Sequence, residues 1–126
     1  MVGLVVVSHS ARAAEGIREI AAEMGSADAP LAAVGGDPED GIGTDADAIR
    51  EAIEETADNG VVVLVDLGSA VMNAELAIET ADVEATIADA PVLEGTVNAT
   101  VAATSPKATV EAVREAAEEA GEISKL

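Results

Sequence analysis

The chain of 126 residues carries 25 Asp and Glu against 6 Lys and Arg, a formal net charge of −19, with one His and no Phe, Tyr, Trp or Cys. At this length one domain is expected. Such a charge without aromatic side chains excludes a cationic face for nucleic-acid phosphates and a stacking platform for bases; the lack of Cys excludes disulfides, thiol nucleophiles and zinc–thiolate centres.

Val2–Val7 is a continuous apolar, largely β-branched run, the pattern of a parallel strand covered on both faces. Ser8-His9-Ser10 follows it. Arg12–Met24 then places Ala13, Ile17, Ile20, Ala21 and Met24 at helical spacing, and Gly25 stops the helix. Pro30–Val34 is a second short strand, and the glycine-rich Gly35–Thr44 is a loop. Thr44 or Asp45 caps the next helix, whose apolar face is Ala48, Ile49, Ala52 and Ile53 and which ends at Asn59-Gly60. Val61–Leu67 is the strongest strand. Gly68-Ser69 turns into a helix over Ala70–Thr80, with Val71, Met72, Leu76 and Ala77 suited to burial. Ala90–Leu93 reads as a fourth strand, Gly95–Thr104 and Pro106–Ala120 as helices with Pro106 in the first turn of the second, and the tail Glu122–Leu126 as a short closing strand, antiparallel to the rest. Strands and helices alternate, which predicts an α/β fold: an open, mostly parallel sheet in the order 2-1-3-4 with helices on both faces.

Ligands of such sheets bind beyond the carboxyl ends of the strands, where strand order reverses. Three polar segments fall there: Ser8-His9-Ser10, Gly41–Asp45 and Asp66–Ser69. In the predicted order His9 and Asp66 are neighbours. A carboxylate beside a histidine fixes the tautomer, leaves the other ring nitrogen as a nucleophile and stabilises the ring once it becomes positive. Asp66 is equally placed to cap the helix that follows it. Gly68-Ser69 at a helix start offers backbone N–H groups that suit a phosphoryl group, and the hydroxyls of Ser10, Thr44 and Ser69 are candidate further donors. The glycines of Gly35–Gly43 match neither phosphate-loop pattern and serve equally well as a turn. Met72 and Leu76 fit a core, and Asn73 and Glu75 fit solvated positions.

Gly3–Ser10, the loop Gly35-Gly36-Asp37 with Gly43-Thr44-Asp45, the block Asp66–Glu75 and the segment Ala90–Gly95 together resemble the phosphotransfer subunits of phosphoenolpyruvate-dependent dihydroxyacetone kinases (DhaM), which are in turn similar to the mannose-class IIA domains of the bacterial sugar phosphotransferase system (PTS). The resemblance covers nearly the whole chain as a single domain, and Asp66–Glu75 is its most specific part. It implies a histidine that takes a phosphoryl group from the carrier HPr and passes it to ADP held on the nucleotide subunit DhaL, the ATP formed there serving dihydroxyacetone on DhaK. Carried over by position, His9 is the acceptor, Asp66 orients its ring, and Ser10, Thr44, Gly68 and Ser69 line the phosphate pocket. Family members are homodimers. No metal or bound cofactor is implied for this chain. Some relatives continue into HPr-like and enzyme I-like domains; this chain ends at Leu126, so separate HPr and enzyme I proteins are expected.

Arg12, one helical turn from His9, is the nearest fixed cation, either for docking a phosphate or acidic partner or as an ordinary exposed residue at a helix start. Two alternatives stand beside the kinase subunit: a IIA component of a mannose-class sugar transporter that hands its phosphoryl group to a IIB protein, and a non-catalytic flavodoxin-like regulatory module. The acidic residues are spread along the whole chain, which points to a salt-rich cytoplasm rather than to an acidic face for a basic partner. No secretory signal is evident, and the longest apolar runs, Leu4–Val7 and Val61–Val65, are far short of the ~20 residues that span a bilayer; a soluble cytoplasmic protein without membrane or nucleic-acid partners is expected.

Overall fold

Strand β1 (Gly3–Ser8) is buried at every position. A strand with neighbours on both edges and helices on both faces must be. In the computed structural model, which describes residues 1–39, 41–56 and 59–126, β1 is flanked by β2 (Leu31–Gly35) and β3 (Val61–Val65), and β3 by the edge strand β4 (Ala85–Ile87). The sheet has the order β2-β1-β3-β4 with every pairing parallel. The predicted order is therefore the one found. Register aligns the strand ends: Ser8 stands opposite Gly35, and Val7 opposite Val65.

Helices α1 (Ala11–Met24), α2 (Ala46–Thr56), α3 (Val71–Thr80), α4 (Val92–Ala103) and α5 (Val110–Glu119) cover the sheet. The pleat of each central strand divides its side chains between two cores. Val5, Val7, Val61 and Val63 meet Ile49 and Ile53 of α2 and Ala74 and Ala77 of α3. Leu4, Val62 and Leu64 meet Ala99 and Ala103 of α4 and Val113 and Ala117 of α5. Alanines supply most of the helix contact, so helices and sheet approach closely without any ring to fill the gap. The end of α1 comes so near α4 that a Cβ on Gly25 would stand 1.9 Å from the Thr100 hydroxyl oxygen.

Several sequence expectations are corrected. Ala90–Leu93 is not a strand: Pro91 precedes the first residue of α4, and the edge strand lies earlier, at Ala85–Ile87. A proline lacks the N–H a ladder needs, whereas the entry to a helix leaves that donor unused. Helix α5 starts at Val110 because the Thr109 side chain accepts from the Ala112 N–H, 3.1 Å away. Pro106 instead sits inside a turn closed by Ala108 N–H donating to Ser105 C=O at 3.0 Å. The tail forms no closing strand: Ala120–Glu122 is a 3-10 turn and the residues after it join no sheet. The cap of α2 is Asp45, which accepts from Ala48 N–H; the stretch before Asn59 where that helix was expected to end lies outside the described residues. Met72 and Leu76 are 81% and 50% exposed, because α3 turns its small residues Ala74 and Ala77 to the sheet. Ala13, Ile20 and Met24, expected on the apolar face of α1, are exposed; Ala21 is buried as expected, with Ala14 beside it.

Ile53 is fully buried between α2 and the sheet. Replacing it with Ala should cost about 2–5 kcal/mol. Ile20→Ala, at a position 45% exposed, should cost much less. Urea unfolding with an unchanged slope and a lowered midpoint for the first variant alone is the expected outcome.

Candidate functional site

The parallel pairing of β1 with β3 brings two loop starts together. Asp66 N–H donates to Val7 C=O at 3.1 Å, one step beyond the strand, and this sets the Asp66 side chain beside Ser8 and His9. Its carboxylate accepts three hydrogen bonds: from the His9 ring at Nδ1 (3.0 Å), from the His9 backbone N–H (3.1 Å) and from the Ser8 hydroxyl (2.9 Å). Burial alone would raise the Asp66 pKa, but the backbone and ring donors of His9 and the Ser8 hydroxyl outweigh it and hold the carboxyl below its ordinary value. Asp66 is thus an ionised acceptor, and His9 Nδ1 is the nitrogen that carries the proton.

The other ring nitrogen then keeps its lone pair. Ser69 Oγ lies 2.8 Å from His9 Nε2, and with the ring neutral its hydroxyl donates to that nitrogen. Ser69 belongs to a 3-10 turn, Gly68–Ala70, which runs straight into α3; the first N–H groups of such a turn have no intrahelical acceptor. A Cβ on Gly68 would meet nothing within 4 Å, so that edge of the site is open. The His9 and Asp66 side chains are each about 20% exposed. The result is an oriented, accessible nucleophilic nitrogen with hydrogen-bond donors on its open side.

Of the residues singled out from sequence, His9, Asp66, Ser69 and Gly68 are brought together. Ser10 is next to His9, but its hydroxyl oxygen caps α1 by accepting from Ala13 N–H at 3.2 Å, while its proton stays free for another partner. Thr44 does not touch the ring. It is reached through Gly43, whose N–H donates to His9 C=O at 2.8 Å, and its hydroxyl is held by Asn73. Arg12 lines a cleft of about 500 Å³ with Ser10, Gly36, Asp37 and Ile42 on the β2 side of His9. Ion pairs within the chain engage Arg18, Arg50, Arg114 and Lys125, but not Arg12, among the described residues. Gly35 makes the tight packing behind His9 possible: a Cβ there would stand 2.6 Å from Ser8 C=O and 2.7 Å from Ser10 C=O.

Two contributors were not picked out from sequence. Ser8 is 1% exposed and braces both Asp66 and the Ser10 N–H; a hydroxyl closing an otherwise apolar strand was the available signal. By its sequence Asn73 fits a solvated position, and nothing local shows that its partner lies 29 residues away. Among the described residues no group of three or more His, Cys, Asp or Glu could hold a metal ion, and no helix is long and apolar enough to cross a membrane.

Comparison with known proteins agrees with the fold. Residues 3–114 match the family model EIIA-man, the PTS system fructose IIA component. The phosphoryl donor subunit DhaM of the PEP-dependent dihydroxyacetone kinase of Escherichia coli (strain K12) is 44% identical over 109 residues, covering 80% of this chain and 23% of that protein; the chain thus spans about a quarter of that relative's length. The phosphotransferase subunit DhaM of the PTS-dependent dihydroxyacetone kinase of Lactococcus lactis is 39% identical over 98 residues, covering 78% of this chain and 79% of the relative. A crystal structure of a protein of unknown function aligns with a TM-score of 0.78 and 28% identity over 94% of both chains.

Asp66 also links the site to stability. A carboxyl held below its unfolded value, 3.8, contributes stability fully above that value and loses it as pH falls through the lower folded value. Asp66→Asn should therefore cost about 1.5–3 kcal/mol at neutral pH, the scale of hydrogen bonds to a charged group. Thermal melts carried from neutral pH into acid should show the difference between the two proteins shrinking as the pH drops below the ordinary carboxyl range.

Proposed function

The chain belongs to the EIIA-man family of PTS system fructose IIA components, and on that premise we propose that it is the phosphoryl-carrier subunit of a phosphoenolpyruvate-dependent dihydroxyacetone kinase. The His9 ring carries this assignment, its Nδ1 proton held by Asp66 and its Nε2 lone pair facing the open side of the site. Nε2 attacks the phosphorus of phospho-HPr, the P–N bond to the HPr histidine breaks, and its electron pair returns to that nitrogen. The same phosphoryl group then passes from Nε2 to ADP on DhaL, and the ATP formed serves dihydroxyacetone on DhaK. Such a step needs positioning and fixed donors more than proton transfer. Asp66 offsets the positive charge of the phosphorylated ring, and the Ser69 hydroxyl turns from Nε2 to a phosphoryl oxygen. The backbone N–H groups of Gly68 and Ser69, and the hydroxyls of Thr44 and Ser10, complete the pocket in this proposal.

Partners would dock on the rim of the site. Ile42, Leu67 and Met72 are 76%, 57% and 81% exposed and flank the residues that hold His9. Large exposed apolar side chains beside a nucleophile suit a transient interface that excludes water during transfer. Arg12, on the adjoining cleft wall, would supply the one cation able to meet an incoming phosphate or an acidic partner surface. Both partners need this face, so HPr and DhaL would bind in turn, and the homodimer that the family resemblance implies would use another face. The sugar-transporter alternative differs in the acceptor; capture of a IIB protein rather than DhaL would favour it.

Incubation with phosphoenolpyruvate, enzyme I and HPr should give an acid-labile, base-stable phosphoprotein, and His9→Ala should carry no label. Persistence of the label in that variant would overturn the assignment. Ser69→Ala should keep the label but slow its formation by about 10²-fold, the scale of one preorganised donor. On the rim, Met72→Glu should raise the KM for phospho-HPr about tenfold, the equivalent of 1.4 kcal/mol of contact, with kcat little changed.

A further inference from the structure

Given the phosphoryl relay proposed above, we infer that Asn73 is a positioning residue, one that turns the Thr44 hydroxyl into a donor aimed at the phosphoryl group on His9. Asn73 lies one helical turn beyond Ser69, so the two side chains share a face of the helical segment that borders the site. Its Nδ2 is 2.8 Å from Thr44 Oγ1 and 3.3 Å from Thr44 C=O. A carbonyl oxygen can only accept, so the amide group facing it must be the NH2 and not the amide oxygen. The same NH2 then donates to Thr44 Oγ1. An amide nitrogen accepts nothing in return, so the Thr44 hydroxyl proton points away from Asn73. Its neighbour Gly43 is bonded to His9 C=O, which holds this stretch of loop against the nucleophile. Asn73 thereby does two things: it ties the loop to α3, and it turns the Thr44 proton away from α3. A donor fixed before reaction needs no reorientation when charge moves on to the phosphoryl oxygens.

The test combines Asn73→Asp, Thr44→Val, Thr44→Ser and the double variant Asn73→Asp/Thr44→Val, labelled with phosphoenolpyruvate, enzyme I and HPr. A carboxylate at position 73 would draw the Thr44 proton back toward itself and repel Thr44 C=O. Asn73→Asp should therefore slow phosphoryl uptake by about 10²-fold, shift the phosphohistidine 31P resonance and shorten the lifetime of the label. Thr44→Val should do the same, Thr44→Ser should stay close to the unaltered chain, and the double variant should be no worse than Thr44→Val alone, because both changes remove one donor. A purely structural Asn73 would instead give additive losses, with an unmoved 31P resonance in whatever fraction remains folded; that outcome overturns the inference while leaving the relay standing. Absence of label on the unaltered chain overturns the relay, and this inference with it.

Discussion

Everything at the site depends on one carboxylate that accepts three hydrogen bonds from two consecutive residues. Asp66 takes the Ser8 hydroxyl, the His9 backbone N–H and the His9 ring together. Three donors on one carboxylate leave the ring little rotational freedom and hold the carboxyl ionised. That arrangement exists only because β1 and β3 are parallel neighbours in register, with Asp66 N–H extending the ladder to Val7. A one-residue slip would send Asp66 to the opposite face of the sheet. The buried valines of both strands, which would all change face in the same slip, are what forbid it. The orientation of the histidine is thus enforced by the core rather than by the loop it sits on.

The core in turn explains how a chain without aromatic residues can hold a site so tightly. Helices that meet the sheet through alanine lie close to it, and close layers leave side chains few alternative rotamers. The cost is that larger apolar residues on the same helices have nowhere to go inward. Met72 and Leu76 on α3 and Ile20 and Met24 on α1 point outward for this reason. On α3, which starts beside His9, that outward residue becomes part of the surface a partner would meet. Packing geometry and docking surface are two consequences of the same choice of small residues.

How much of this could be read in the sequence follows from the range over which each feature is determined. The strand order, the place of His9 and its pairing with Asp66 were legible, because buried parallel strands write themselves as unbroken apolar runs and their carboxyl ends collect the polar residues. The edge strand was not. Ala85–Ile87 is three residues long and partly exposed, a weaker pattern than the apolar Ala90–Leu93 that in fact opens a helix. On α1 and α3 the sequence finds Ala21 and Ala77 on the buried face but adds the bulky Ile20, Met24, Met72 and Leu76, because it does not show the interlayer distance that selects alanine. Ser8 and Asn73 act through partners 58 and 29 residues away. Neither separation has a period that a sequence could display.

The charge of the chain bears on the phosphate site proposed above. At a net charge of −19, a group bearing further negative charge gains nothing from the surface as a whole. Arg18, Arg50 and Arg114 are each paired with carboxylates on their own helices, which removes them from any phosphate. Arg12 stands on the adjoining cleft wall, whereas the group against Nε2 is neutral, the Ser69 hydroxyl, and the further donors proposed above, backbone N–H groups and a threonine hydroxyl, are neutral too. Neutral donors hold a phosphoryl group by hydrogen bonds to its oxygens, without the ion pair that Arg or Lys would add. For an enzyme that keeps its phosphate this would be a weakness. A carrier has the opposite requirement, since every interaction that deepens the phosphohistidine well must be undone in the next transfer. In the proposed relay the carboxylate would act on the ring and not on the phosphate, stabilising the positive imidazole while repelling the group the ring carries. In the proposed relay, an acidic protein with one oriented histidine and neutral donors against it would be suited to passing a phosphoryl group onward and poorly suited to retaining it.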